Sequence, residues 1–389
     1  MNDFTYCLPT NFVFGKSKET ETGAYVKMYG GTKVLIHYGG GSVKRSGLLD
    51  RVKASLEEEG ISYVELGGVK PNPRDGLVYE GIELCRKEGV DFILAVGGGS
   101  TIDSSKAIAV GTLYQGDFWD FYAGKLPVSE ALPVGAVLTI AAAGSESSTS
   151  SVITQESTLT KTSIKTTKVR PKFAIMNPGL TETLPPYQTA SGATDICAHV
   201  LERYFTNTPE VEVTDRLCEA ILLTMIREVP RVLEDPHNYE ARANIMWAGT
   251  LAHNDTCGVG RQQDWATHHL EHTISALIDC AHGAGLAVMF PAWMKYNYKH
   301  DVARFVRLAV NVWGCEENTD DPEETALAGI ACWENFFRSI GMPVRLSELG
   351  VTEAEIPKLL ELLGGDDHLE GNFVVLDKKA CEEIYRLAL

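Results

Sequence analysis

The chain has 389 residues, of which 44% are hydrophobic and 22% are charged, which fits a soluble globular protein of two domains. Its formal net charge of −17 repels nucleic-acid phosphates and anionic lipid, which argues against nucleic acid and membranes as partners. The N-terminus lacks the basic and apolar stretches of a signal peptide, and the nine cysteines form no CxxC pair, so we expect a cytoplasmic protein with reduced thiols.

The first half of the chain alternates strand-like and helical segments. The strand-like runs are TKVLIHYGGGS, ISYVELGG, DFILAVGGGS, LPVGAVLTI and KFAIMNP, and amphipathic helical runs separate the first four. This βαβα order predicts a parallel sheet with helices on both faces, which is the Rossmann-like α/β arrangement of a dinucleotide-binding domain.

The pattern changes at the sequence Leu184-Pro185-Pro186, after which strand-like alternation nearly vanishes. Helical segments then follow one another to the C-terminus, for example VTDRLCEAILLTMIREVPRVLED and ALAGIACWENFFRSIG. The proline pair interrupts regular structure and can begin a helix. We therefore predict an α/β nucleotide-binding domain over residues 1–185 and an all-α domain over residues 186–389.

A glycine turn follows the strand FILAV and opens a helix. It consists of Gly97, Gly98, Gly99 and Ser100. Glycines there let the backbone approach a pyrophosphate closely, and the helix N-terminus adds free N–H groups and a partial positive charge. Asp103 stands just beyond and fits either a contact to the nicotinamide side of the cofactor or a helix-capping carboxylate. The spacing is not the usual GxGxxG.

An earlier glycine turn ends the first strand. It consists of Gly39, Gly40, Gly41 and Ser42. In many dinucleotide-binding folds an acidic residue near this place binds the ribose hydroxyls and excludes a 2′-phosphate. Here the place holds small residues, and Lys44 and Arg45 follow. Exposed amides and nearby cations favour a phosphate, so we predict NADP(H) rather than NAD(H), with a plain tight turn as the alternative.

A third segment rich in small residues, Thr139 to Glu146, follows the strand LPVGAVLTI. We expect it to lie along the cofactor or to form a pocket wall. Lys161 follows on the next segment and either reaches a cofactor hydroxyl or phosphate or is a solvated surface lysine.

Four side chains of the second half have the character of metal ligands. Asp195 and His199 lie four residues apart in SGATDICAHVLERYF, a helical pattern that puts both on one face. His268 and His282 come from WATHHLEHTISALIDCAHGAG. One carboxylate and three imidazoles suit Fe²⁺, Zn²⁺, Mn²⁺ or Co²⁺ and leave a coordination position open, as catalytic sites do.

His272 lies four residues after His268, so both histidines could face one site. We assign His268 as the ligand and His272 as a proton-relay group, although the sequence alone also allows the reverse. His269 would point elsewhere. Asp279 either orients a ligand histidine or is an ordinary carboxylate at a helix C-terminus.

These residues resemble a known family, the iron-containing (group III) alcohol dehydrogenases, and within it the branch of NADPH-dependent butanol dehydrogenases and broad-range aldehyde reductases. The resemblance covers essentially the whole chain. It rests on the segments VLIHYGGGSVKRSGLLDRV, FILAVGGGSTIDSSKAIAV, LPPYQTASGATDICAHVLERY, WATHHLEHTISALIDCAHG and FFRSIGMPVRLSELGV.

The resemblance implies a dehydroquinate synthase-like architecture and metal binding by the four ligands already described. It also implies a homodimer, because members of this branch are usually dimers. It also implies that His272 is an additional active-site histidine and that both glycine turns and Asp103 contact the cofactor, with weaker matches at Thr139 and Lys161. The implied reaction interconverts aldehydes and primary alcohols with NADP(H) and Fe²⁺, or alternatively Zn²⁺. Alanines at positions 141 and 143 replace a proline and a threonine that are usual in this family.

Two alternatives remain open. An NAD-dependent polyol dehydrogenase or dehydroquinate synthase would share the architecture, but a phosphorylated and carboxylated substrate needs a Lys and Arg cluster that GTLAHNDTCGVG and WATHHLEH lack. A non-catalytic nucleotide-binding protein would not need the ligand set.

Overall fold

The computed structural model describes residues 1–365 and 367–389, and the chain divides into two compact units. One unit is Cys7–Leu184, and the other is Pro185–Leu389 together with Met1–Tyr6. The sequence prediction assigns residues 1–6 to the first domain, but they belong to the helical unit. There the Met1 amino group donates to the Pro209 carbonyl oxygen at 2.9 Å, and the Asn2 backbone N–H donates to Gly260.

The unit Cys7–Leu184 has the α/β architecture that the sequence predicts. Its strands are β1 (Asn11–Phe14), β2 (Lys33–Tyr38), β3 (Ser62–Leu66), β4 (Phe92–Gly97), β5 (Val134–Leu138), β6 (Ser150–Gln155), β7 (Thr160–Lys165) and β8 (Phe173–Met176). Its helices are α1 (Thr22–Met28), α2 (Ser42–Arg45), α3 (Leu48–Glu58), α4 (Asp75–Glu88), α5 (Gly99–Leu113) and α6 (Trp119–Tyr122).

Within the described residues, six strands form a parallel sheet in the order β1-β8-β5-β4-β2-β3. Alternate residues of β2 point to opposite faces, because successive side chains of a strand do so. Leu35 packs in one core with Ile108 of α5, whereas Val34 packs in another core with Val52 of α3. Helices therefore cover both faces, which confirms the predicted fold class.

The sequence pattern does not predict two features of the strands. β1 is a four-residue edge strand that pairs in parallel with β8, and it is too short to show alternation. β6 and β7 form an antiparallel hairpin rich in serine and threonine, outside the βαβ rhythm.

The second unit is helical from Pro185 onward, again as the sequence predicts. Its helices are α7 (Pro186–Tyr204), α8 (Glu212–Glu234), α9 (Tyr239–His253), α10 (Ala266–Ile278), α11 (His282–Asn297), α12 (Val302–Trp313), α13 (Pro322–Ser339), α14 (Ile356–Leu363) and α15 (Lys378–Leu387). Among the described residues, no helix of either unit is long enough and apolar enough to cross a bilayer.

Candidate active site

Three helices of the helical unit bring the predicted metal ligands together. α7 carries Asp195 and His199 one turn apart, His268 lies in the first turn of α10, and His282 begins α11. The donor atoms of Asp195, His268 and His282 lie within 4.8 Å of one another. Residues far apart in sequence thus converge on one point.

His199 lies beside the same point. Its Nδ1 is 3.5 Å from Asp195 Oδ1, and its ring centroid is 4.8 Å from that of His268. The Nε2 atoms of His268 and His282 each lie 3.8 Å from Asp195 Oδ1. These separations exceed a hydrogen bond, but two ligands each about 2.1 Å from one ion would lie roughly 3.4 Å apart in a tetrahedral site.

Three buried polar atoms without a hydrogen-bond partner show that a cation fits here. Within residues 1–365 and 367–389, Asp195 Oδ1, His199 Nδ1 and His268 Nε2 are buried without a hydrogen-bond partner. Buried polar atoms are almost always paired, since an unpaired one costs about 1–3 kcal/mol. An ion coordinated by all three atoms would remove this cost.

A buried carboxylate of α7 holds the other side of the His268 ring. Glu202 Oε1 accepts hydrogen bonds from His268 Nδ1 at 2.7 Å and from the His268 backbone N–H at 3.1 Å. Its Oε2 accepts from the Trp265 N–H at 2.7 Å, and Oε1 also accepts from the Thr267 hydroxyl. The Nδ1 proton is thereby fixed, which leaves Nε2 free to coordinate metal.

A carboxylate of α10 does the same for His282. Glu271 Oε2 accepts a hydrogen bond from His282 Nδ1, so His282 Nε2 is left toward Asp195. The approach of α11 depends on two glycines. A Cβ at Gly285 would lie 2.6 Å from Glu271 Cγ, and a Cβ at Gly283 would lie 1.9 Å from the Ser191 carbonyl oxygen. Gly283 therefore serves close helix packing.

The carboxylates make the site electronegative. Burial by itself would lower the pKa of His268, but Asp195 and Glu202 outweigh burial and raise it to about 9. Burial also opposes ionisation of Glu202, yet its hydrogen bonds from His268 and Thr267 hold its pKa below the usual value. Burial and the neighbouring His253 and His268 lower the pKa of His199. Such a field favours a bound cation.

The neighbouring histidines of α10 have different surroundings. His272 groups with Glu271 and His282, whereas the group that contains Asp195 contains His268. This favours His268 over His272 as the ligand, although the assignment stays a prediction. The His272 ring centroid lies 5.6 Å from that of His282.

His269 and Asp279 have other partners. His269 Nδ1 pairs with Glu370 Oε2 at 2.5 Å. Asp279 caps the C-terminus of α10 in the left-handed conformation, with its N–H donating to Ser275, which agrees with its interpretation as a helix-terminal carboxylate.

The glycine turn at residues 97–100 lies in the α/β unit, where Gly97 ends β4 and Gly99 begins α5. A Cβ at Gly98 would lie 2.1 Å from Ile140 Cγ2, and a Cβ at Gly99 would lie 2.7 Å from Ala143 Cβ. Gly98 and Gly99 are thus required because the segment after β5 packs directly against them.

The turn at residues 39–42 is different. Apart from Gly40 and its two chain neighbours, no described residue has an atom within 4 Å of the Cβ position of Gly40, and its φ is not in the positive range. Neither packing nor backbone strain explains a glycine there, so the open space fits the close approach of a ligand. Lys44 and Arg45 follow at the surface, with Lys44 Nζ 5.1 Å from the Tyr38 ring centroid.

The remaining predicted cofactor residues have partners within the protein. Asp103 lies in the second turn of α5 and is not its cap. Its Oδ1 accepts from Ser145 Oγ at 2.5 Å, and its Oδ2 accepts from the Val152 N–H at 3.0 Å. Lys161 of β7 donates to Asn72 Oδ1 at 3.0 Å. Thr139 donates its backbone N–H to Gly97. Contacts of these residues with a cofactor stay predictions.

Comparison with known proteins agrees with this geometry. The model of the iron-containing alcohol dehydrogenase family matches residues 9–178, and that of the Fe-containing alcohol dehydrogenase family C-terminal domain matches residues 189–389. The chain belongs to the iron-containing alcohol dehydrogenase family. It is therefore an oxidoreductase of the alcohol dehydrogenase and aldehyde reductase class, and the family implies a nicotinamide cofactor and an iron-type metal.

Individual relatives match over nearly their whole length. The chain is 43% identical, over 100% of both chains, to a probable NADH-dependent butanol dehydrogenase of Bacillus subtilis. It is 40% identical, over 93% of both, to an NADPH-dependent aldehyde reductase of Escherichia coli. The crystal structure of NADH-dependent butanol dehydrogenase A from Thermotoga maritima superposes with a TM-score of 0.96 at 41% identity, covering 100% of this chain and 99% of that one.

Sequence reasoning misses the two carboxylates that orient the predicted ligand histidines of this alcohol dehydrogenase. Glu202 lies seven residues after Asp195, on the same face of α7, and Glu271 lies three residues after His268. Both spacings were visible in the sequence. Carboxylates at such spacings are common on exposed helix faces, however, and only the packing of three helices shows that these two are buried.

Proposed function

We propose that the chain is an NADP(H)-dependent alcohol dehydrogenase that interconverts small aldehydes and primary alcohols of the butanol type. The metal would be Fe²⁺, or alternatively Zn²⁺, held by Asp195, His199, His268 and His282. The observation that carries the proposal is the convergence of buried, unpaired donor atoms from α7 and α10. Loss of a divalent ion should therefore abolish turnover.

The net reaction is aldehyde + NADPH + H⁺ ⇌ primary alcohol + NADP⁺. A bound divalent cation supplies Lewis acidity toward the carbonyl oxygen, and the nicotinamide supplies or accepts the hydride. Asp195 and the three imidazoles would hold the cation, while Glu202 and Glu271 fix the orientation of two of those rings.

His272 is the group that we assign to proton transfer. It lies one helical turn after His268 on α10, and its ring is only partly buried. An imidazole titrates near neutral pH and can give or take a proton as the alcohol oxygen changes charge.

The substrate that we propose carries no phosphate. Lys and Arg side chains, which would bind a phosphorylated substrate, are absent from positions 264–282 of the sequence.

The preference for NADP(H) rests on the turn at residues 39–42. Gly40 leaves open space, the turn carries no acidic side chain, and Lys44 and Arg45 are exposed beside it. The acidic residue at the end of β3, Glu65, is engaged by Lys53 at 2.5 Å. The relatives divide on this point, since both NADH-dependent and NADPH-dependent enzymes are among them.

Two assays test the proposal. Butanal should drive the loss of absorbance at the nicotinamide band of NADPH, and a protein that oxidises no reduced coenzyme with any aldehyde of a C2–C8 panel would contradict an alcohol dehydrogenase of this type. Catalytic efficiency should be higher with NADPH than with NADH, and Lys44→Ala should reduce it for NADPH alone. Equal efficiencies would remove the coenzyme assignment while leaving the reaction.

We further propose that the enzyme is a homodimer, as is usual in the family branch that it resembles. Light scattering coupled to size-exclusion chromatography should give twice the chain mass of 42.5 kDa. A value of one chain mass would contradict this.

A further inference from the structure

A fully buried lysine lies in the middle of helix α5. Lys106 is 0% exposed, and burial lowers its pKa to about 8 even though Asp103 and Glu146 favour its charged form. A buried ammonium group is costly unless hydrogen bonds replace its hydration. Its position in the fold therefore depends on the acceptors around it.

The acceptors all come from one short segment, residues 145–150. Lys106 Nζ donates to the carbonyl oxygens of Ser145 at 2.7 Å, Ser148 at 3.2 Å and Ser150 at 2.8 Å. It also lies 2.8 Å from Ser145 Oγ and 3.2 Å from Ser148 Oγ. Three N–H groups are thus shared among five oxygens, and these hydrogen bonds hold residues 145–150 around the ammonium group.

Asp103, in the preceding turn of α5, holds the same segment and Ser151, the residue that follows it. Its Oδ1 accepts from Ser145 Oγ at 2.5 Å, and its backbone carbonyl accepts from Ser151 Oγ at 2.8 Å. Asp103 and Lys106 are three residues apart and so lie on one helix face. Ser145 Oγ bridges the two side chains, which makes one hydrogen-bonded network between α5 and the segment.

The held segment continues directly from the residues that cover the glycine turn. Residues 139–144 place Ile140 where a Cβ at Gly98 would clash at 2.1 Å and Ala143 where a Cβ at Gly99 would clash at 2.7 Å. Residues 139–144 thus form a wall of any site at the N-terminus of α5, and residues 145–150 anchor one end of that wall.

We propose that Lys106 is a positioning residue for the coenzyme, because its hold on residues 145–150 fixes residues 139–144 against the glycine turn at the N-terminus of α5. The inference rests on the proposed function, in which that turn receives the coenzyme phosphates. A fixed wall lowers the ordering cost of binding, so the coenzyme binds more tightly than it would against a loose segment.

The test replaces Lys106 by methionine, which is unbranched and only one atom shorter than lysine and removes its donors. Lys106→Met should raise the Kd of NADPH, measured by fluorescence titration, by about tenfold or more. The Michaelis constant for butanal and kcat at saturating NADPH should change much less. Lys87→Met, on an 80% exposed side chain of α4, should match the wild type.

Hydrogen–deuterium exchange supplies a readout that does not depend on activity. Peptides covering residues 139–150 should exchange faster in Lys106→Met, with the strands β2 and β4 unchanged. Wild-type exchange and a wild-type Kd in the variant would overturn the inference. Wild-type protein that binds neither NADPH nor NADH would instead overturn the proposed function.

A milder variant covers the case in which Lys106→Met does not fold. Ser148→Ala removes one acceptor and leaves the cation in place, so it should speed exchange over residues 139–150 and weaken NADPH binding by about threefold. Wild-type values of both quantities in Ser148→Ala would overturn the inference.

Discussion

Glutamine in place of Glu202 is the sharpest perturbation of the metal centre that leaves every proposed ligand intact. Glu202 is 1% exposed, and both of its oxygens accept hydrogen bonds from the residues around His268. If the amide oxygen of glutamine faces His268, its NH₂ group faces the Trp265 N–H, which donates to Glu202 Oε2 at 2.7 Å in the wild type. Two donors would then oppose each other in a buried place.

The magnitude follows from these contacts. A buried N–H left unpaired costs about 1–3 kcal/mol, and replacing a charge-assisted hydrogen bond by a neutral one costs about 1 kcal/mol more. Loss of a carboxylate that orients a ligand histidine typically weakens metal binding by about 10–100-fold. We therefore expect Glu202→Gln to be folded but less stable, with a metal Kd raised by that factor.

The assay is titration of the metal-free protein with Zn²⁺ in competition with a chromophoric chelator. Glu219→Gln is the matched control, because Glu219 is also buried in the helical unit but pairs with Arg307 at 2.8 Å and Tyr204 at 3.2 Å. The control should lose stability and keep its metal affinity. An unchanged metal Kd in Glu202→Gln would refute the reasoning, and so would an equal loss of metal affinity in Glu219→Gln.

Three further outcomes are expected. His272→Ala should keep the metal but slow turnover and alter the pH–rate profile, and an unaltered profile would make His272 a packing residue. Gly283→Ala should lower the free energy of unfolding by about 1–3 kcal/mol, since its Cβ would lie 1.9 Å from the Ser191 carbonyl oxygen; Gly76→Ala, whose Cβ has room, should be neutral in thermal unfolding. Burial lowers the pKa of His37 to about 4, so folding stability should fall by about 3 kcal/mol as pH drops from 6.5 to 4, and His37→Gln, compared by denaturant titration, should lack that part of the pH dependence.

The sign of the His37 effect follows from its protonation. Between the two pKa values the unfolded chain binds a proton on His37 that the folded chain does not, so acid favours unfolding. Below pH 4 the two states bind equally and this contribution is lost. A pH profile identical in His37→Gln and the wild type would show that other groups cause the acid sensitivity.

Much of the fold could be predicted because its signals are local. The central parallel strands β2, β4, β5 and β8 are almost entirely buried and appear as continuous apolar runs, and the chain after Pro185 appears as a series of helical patterns. The pattern does not predict β1, because four edge residues carry too little alternation, nor the hairpin of β6 and β7, because half of its strand residues are Ser or Thr.

The site divides in the same way. Asp195 and His199 could be paired from sequence because an i, i+4 spacing on a helix fixes their relative direction. The burial of Glu202 and Glu271 depends on how α7, α10 and α11 pack, which no single segment encodes. The role of Lys106 likewise depends on a contact with residues 145–150, about forty positions away.

The most direct measurement loads metal-free protein with Fe²⁺ or Zn²⁺ in steps, without oxygen, and follows NADPH-dependent reduction of butanal against metal content per chain. The rate should rise in proportion to bound metal and level off at one ion per chain, and His268→Ala should neither bind the ion nor turn over. Full activity in metal-free protein, or a rate that does not follow occupancy, would contradict a metal-dependent dehydrogenase.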